Sequence, residues 1–212
     1  MTHDRFRELL TVLEETPETR TPARIIWDNF YQTVVCIRGF VRGTSKENLS
    51  REYALDRCKT AITLLQQLWV IGNMTGSNTG KYVCYDELIK EIKGHSMDTL
   101  IEKNALYAPD DDALHNFNVG GNVFDGTPEE ALWGYLTKHL VALFDMVEKN
   151  DFSNHADFLE KCQDSINYFR FLYCIWIDHF DEFDREQYQI NEARGFAPRD
   201  LYTPVADEEL NG

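Results

Sequence analysis

Apolar residues recur at three- and four-residue intervals along most of the chain, a spacing that predicts helices rather than strands. Thr21-Pro22 sets a capping hydroxyl and a proline at a helix start. Trp27, Phe30, Val34, Ile37 and Val41 then follow on one face, as far as an expected glycine cap at Gly43. Ser45 is read as the cap of a second helix running to about Asn73, with Leu55, Cys58, Ile62, Leu65 and Trp69 as its stripe. The run GNMTGSNTG, Gly72–Gly80, reads as a flexible loop.

The strongest start signal is Thr127-Pro128-Glu129-Glu130, where Thr127 and Glu130 are spaced for a capping box. Its helix reaches about Lys149 on Leu132, Leu136, Leu140, Leu143 and Val147. Ser153 or Asn154 opens the longest helix, to about Glu186, with Cys162, Ile166, Phe169, Tyr173, Trp176, Phe180 and Phe183 on one side. Residues 4–15 are expected to form a short amphipathic helix. Between the long elements the pattern weakens, and two short helices (86–93 and 97–107) and the acidic turn Asp110-Asp111-Asp112 are expected. Asn118–Val123 is either a small β-hairpin turning on Gly120-Gly121 or an irregular loop.

The expected fold is therefore all-α. It is a bundle of four long helices arranged as two hairpins (21–73 and 127–187) around an irregular insertion (74–126), within one domain spanning 1–195. An extended acidic tail, 196–212, closes the chain. Thr21-Pro22 and Trp27 recur 106 residues later as Thr127-Pro128 and Trp133, which an internal duplication would explain.

Composition narrows the class. A chain of 212 residues with 43% hydrophobic and 13% aromatic content can bury a full core. No run approaches the roughly 20 apolar residues of a membrane span, and no secretory signal is evident at the N-terminus. Five scattered cysteines without Cys-x-x-Cys spacing disfavour a disulfide framework and structural zinc, pointing to a reducing, cytoplasmic setting. The net charge of −15 disfavours non-specific nucleic-acid binding. Residues 19–75 nevertheless hold eight basic and four acidic side chains, which leaves −19 on the remainder.

Candidate chemistry is sparse. Asp157, Glu160, Asp164, Asp178 and Glu182 lie opposite the apolar stripe of the last helix at about 100° per residue, which places them on a solvated face. Asp112 and His115 are the nearest approach to a Glu-x-x-His motif, and His139 reads as a satisfied histidine at the edge of an apolar face. Tyr168 and Phe171 lie off the main stripe of the last helix, as core covered by the middle segment or as a binding surface. No cofactor is implied. The most specific feature is the junction Arg38–Lys46, where Arg38, Arg42, Ser45 and Lys46 surround a helix start suited to phosphate or carboxylate. Arg38 shares a face with Trp27 and Val34, where a buried guanidinium needs an anion, from a ligand or from a protein carboxylate. The structural alternative is that Arg38 and Arg42 complement the C-terminal end of the first helix, with Gly43 as its cap and Ser45 starting the next.

Two functions follow as expectations. The first is a non-enzymatic acidic interaction protein that binds another protein, as inhibitor, adaptor or assembly subunit, with homo-oligomers as one form. The second is a binder or Mg²⁺-dependent hydrolase of nucleotides or phosphate esters at the Arg38–Lys46 junction.

Overall fold

The computed structural model describes residues 21–42, 51–76, 85–107, 112–123 and 125–193. Among these residues there are six helices and no strand: α1 (Pro22–Val41), α2 (Arg51–Gly76), α3 (Tyr85–Tyr107), α4 (His115–Val123), α5 (Pro128–Lys149) and α6 (His155–Ala193). They pack as a helical bundle.

The caps are local chemistry. Thr21 Oγ1 accepts the Arg24 N–H at 3.2 Å, with Pro22 in the first turn. At α5 the capping box is complete: Thr127 Oγ1 accepts the Glu130 N–H at 3.3 Å, and Glu130 Oε2 accepts the Thr127 N–H at 3.0 Å. Asn150 ends α5 in the left-handed region (φ 48°), a conformation asparagine tolerates better than most residues. Asn154 then caps α6 through the Asp157 N–H.

Two compact units divide the chain, Met1–Ile175 and Trp176–Gly212. In the second, the described residues Trp176–Ala193 are continuously helical. In the first, α1 packs on α2 and α5, α3 on α2, and α4 on α5. The His155–Ile175 part of α6 touches all of them. Phe169 meets Phe30 of α1 edge-on at 5.9 Å, and Phe158 stacks on Trp69 of α2 at 5.6 Å. Asp164 reaches α3 through Lys103, and Phe171 packs on Phe117 of α4. Tyr135 of α5 lies parallel to Tyr168. Asp164, Ser165, Ile166 and Asn167 are consequently all buried.

The middle of the chain departs from expectation. Residues 85–107 form one continuous helix, making α3 a fifth long helix; Leu88, Ile92 and Ser96 are its buried line. Gly72–Gly76 is the last turn of α2 rather than a loop. Gly72 is there for close approach: an added Cβ would lie 2.6 Å from Phe158 Cζ and 3.2 Å from Phe152 Cδ1. Asn118–Val123 is helical, not a hairpin or irregular loop. Gly120-Gly121 lies within α4 and is no turn, and a Cβ on Gly121 would lie 2.8 Å from the Thr127 carbonyl carbon. The glycines let α4 sit against the start of α5. The expected helix 4–15, Ser45, Lys46 and the tail 196–212 lie outside the described residues.

Candidate functional site

Helical spacing builds one mixed polar and aromatic face from two helices. On α6, Asp164, Asn167, Tyr168 and Phe171 fall at i, i+3, i+4 and i+7, and so share a side. On α5, Tyr135, Lys138 and His139 do the same. These faces, with Phe117 of α4 and Lys103 of α3, enclose a cavity of about 480 Å³.

Its deepest groups are ionisable. The Asp164 side chain is 11% exposed and the His139 side chain 4%. Lys103 Nζ, from α3, donates to Asp164 Oδ1 at 2.7 Å. His139 Nε2 stands 3.7 Å from Asp164 Oδ2, beyond hydrogen-bond range. Neither ring nitrogen of His139 hydrogen-bonds to another protein group. A buried polar group left so costs about 1–3 kcal/mol. Above them Phe117, Tyr135, Tyr168 and Phe171 pack with ring centroids 5.0–6.5 Å apart. Lys103 is half-exposed but its ammonium is held on Asp164, so Lys138, which is exposed, is the cation at the rim.

Burial holds the His139 pKa below its usual 6.5; Lys138 and Lys161 push the same way, while Asp164 and Glu160 oppose them. The ring is therefore neutral at neutral pH. The unfolded chain protonates this imidazole more readily than the native one does. The stability that neutral His139 confers is thus complete above the unfolded value and declines as the pH falls through about 6.5 towards the lower native value. Urea midpoints compared at about pH 7.5 and about pH 5.5 should drop more in the wild type than in His139→Gln. Equal drops would remove His139 as the source.

The positions singled out in the sequence fall elsewhere. Arg38 and Arg42 are both exposed at the end of α1, where the Arg42 N–H donates to Arg38 O at 3.1 Å. The burial expected for Arg38 does not occur, because in the last turn its long side chain reaches solvent. Asp157 and Glu160 pair with Lys161 at 3.1 Å each, as befits a solvated face. Asp164 does not belong with them. Asp112 accepts the Leu114 N–H at 3.0 Å and shapes the turn into α4.

His139 is not a satisfied edge residue. It stands in the buried line Leu132, Leu136, His139, Leu143, Val147, with Leu140 only half-buried. Tyr168 and Phe171 are half-buried against Phe117 and also line the cavity. Among the described residues no three of His, Cys, Asp and Glu are gathered to hold a metal. No described helix is long and apolar enough to cross a membrane.

Among the described residues, fold and site together define an all-α unit with an open-mouthed cavity of acidic floor and aromatic walls. Comparison of the chain with protein-family models, with the curated proteins and with the solved structures finds no match in any of the three.

Proposed function

We propose that this protein binds a small organic ligand in the cavity floored by Asp164 and His139. The carrying observation is His139, a buried imidazole with no hydrogen bond to the protein, lining a space of ligand size. Sites of about 300–1,000 Å³ with aromatic walls and a few convergent polar groups are the usual form of such pockets. On this reading the bundle is two hairpins, α1–α2 and α5–α6. The inserted α3 and α4 supply Lys103 and Phe117 to the cavity.

A ligand-observed NMR screen of polar aromatic fragments against the wild type and His139→Leu tests it. Several fragments should bind the wild type, and their affinity should fall tenfold or more in the variant, a loss of about 1.4 kcal/mol. A screen without hits, or hits that ignore the substitution, would end the proposal.

A second reading, docking on another protein, has its own support. Arg24 pairs with Glu148 and Trp27 packs on Phe144, so α1 and α5 run antiparallel. On these two helices Tyr31 and Val141 are 54% and 55% exposed. Anion binding by Arg38, Arg42, Ser45 and Lys46 is a further proposal, supported by the two arginines exposed at the end of α1.

A further inference from the structure

We propose that the ligand of this cavity is a planar nitrogen heterocycle with two adjacent N–H donors on one edge and an anionic group at its far end, the pattern of a guanine nucleotide. The inference rests on the ligand-binding reading above and extends it to the ligand's chemistry.

The floor selects the edge. A carboxylate only accepts, and its two oxygens offer about four lone-pair sites. Lys103 takes one of these on Asp164 Oδ1, leaving acceptors on both oxygens. Two parallel N–H donors fit a carboxylate as a guanidinium does, with both bonds charge-assisted. The neutral His139 beside it adds one donor and one acceptor without adding charge. A heterocycle with an acceptor in place of one of those two donors, as adenine has at N1, would face the carboxylate lone pair to lone pair.

The walls select the body. Tyr135 and Tyr168 lie within 12° of parallel, and Phe117 and Phe171 complete the enclosure. Stacking on such rings requires a flat ligand.

The rim selects the tail. Lys103 and Lys138 oppose a single cavity carboxylate, so one positive charge is left over at the mouth. Its position outside the aromatic walls suits a phosphate that stays in contact with water.

Calorimetric titration at constant ionic strength, using GMP, guanosine and AMP against the full chain, tests each part. GMP should bind in the micromolar range, with guanosine and AMP each at least tenfold weaker. Asp164→Asn should weaken GMP at least tenfold and shrink its advantage over AMP. Lys138→Glu, at an exposed position, should weaken GMP at least tenfold more than it weakens guanosine. GMP binding no tighter than AMP or guanosine overturns the proposal, and so does an unchanged GMP affinity in Lys138→Glu. If polar aromatic fragments occupy the cavity and GMP does not, this inference fails and the ligand-binding reading stands. If neither binds, both fail.

Discussion

Replacing Phe158 with alanine is expected to lower the unfolding free energy by about 3–5 kcal/mol. The ring is fully buried, stacks on Trp69 at 5.6 Å and lies against Phe152 at 4.9 Å. Two costs add: the transfer free energy of the ring, and the cavity left behind. The ring fills the space directly over Gly72, where an added Cβ would lie 2.6 Å from Phe158 Cζ. Urea denaturation with an unchanged m-value would measure the loss directly. A loss below about 1 kcal/mol would mean that the Trp69–Phe158–Phe152 cluster does not hold α2 to α6.

The second large effect is a reversal of sign. Alanine in place of a mid-helix glycine ordinarily stabilises by about 0.5–1 kcal/mol. Gly94→Ala should behave so, because a Cβ there meets nothing within 4 Å. Gly121→Ala should instead destabilise by about 1–3 kcal/mol, the range for forcing atoms into a packed site. Its Cβ would press on the Thr127 carbonyl carbon at 2.8 Å and on Pro128 N at 3.0 Å. Those are backbone atoms of the α5 cap and cannot rotate aside. Displacing α4 would also withdraw Phe117 from the cavity wall. Paired thermal melts of the two variants decide the matter, and shifts of the same sign would refute the packing account.

The long helices were legible because their signals are local. Thr21-Pro22 and Thr127–Glu130 cap as their residue types demand, and Trp27, Phe30, Val34 and Ile37 are buried together. The middle was obscured by two ambiguities. Gly120-Gly121 and Gly72 carry turn composition, yet a small residue serves close helix packing equally well. In α3 the buried line of Leu88, Ile92 and Ser96 ends in a serine, so little apolar contrast marks the helix.

The site was hidden for a different reason. A helical wheel assumes one buried face, and on that assumption Asp164, opposite Cys162 and Ile166, belongs in water. With α3 and α5 covering its other side, α6 has no outer face at Asp164. His139 was readable in principle. The 4-3-4-4 spacing from Leu132 to Val147 passes through residue 139, whereas the expected stripe ran through Leu140. Nothing local joins Lys103 to Asp164, 61 residues apart.

The buried turn Asp164–Asn167 bears on how occupancy of the cavity would be felt. Backbone amides of such a turn exchange with solvent chiefly when the whole unit opens, not by local fraying. A molecule held on Asp164 is thereby linked to the global folding equilibrium of residues in the first unit. Its signature is slower proteolysis and exchange far from the cavity, in α1 and α2, with no loop ordering at its mouth.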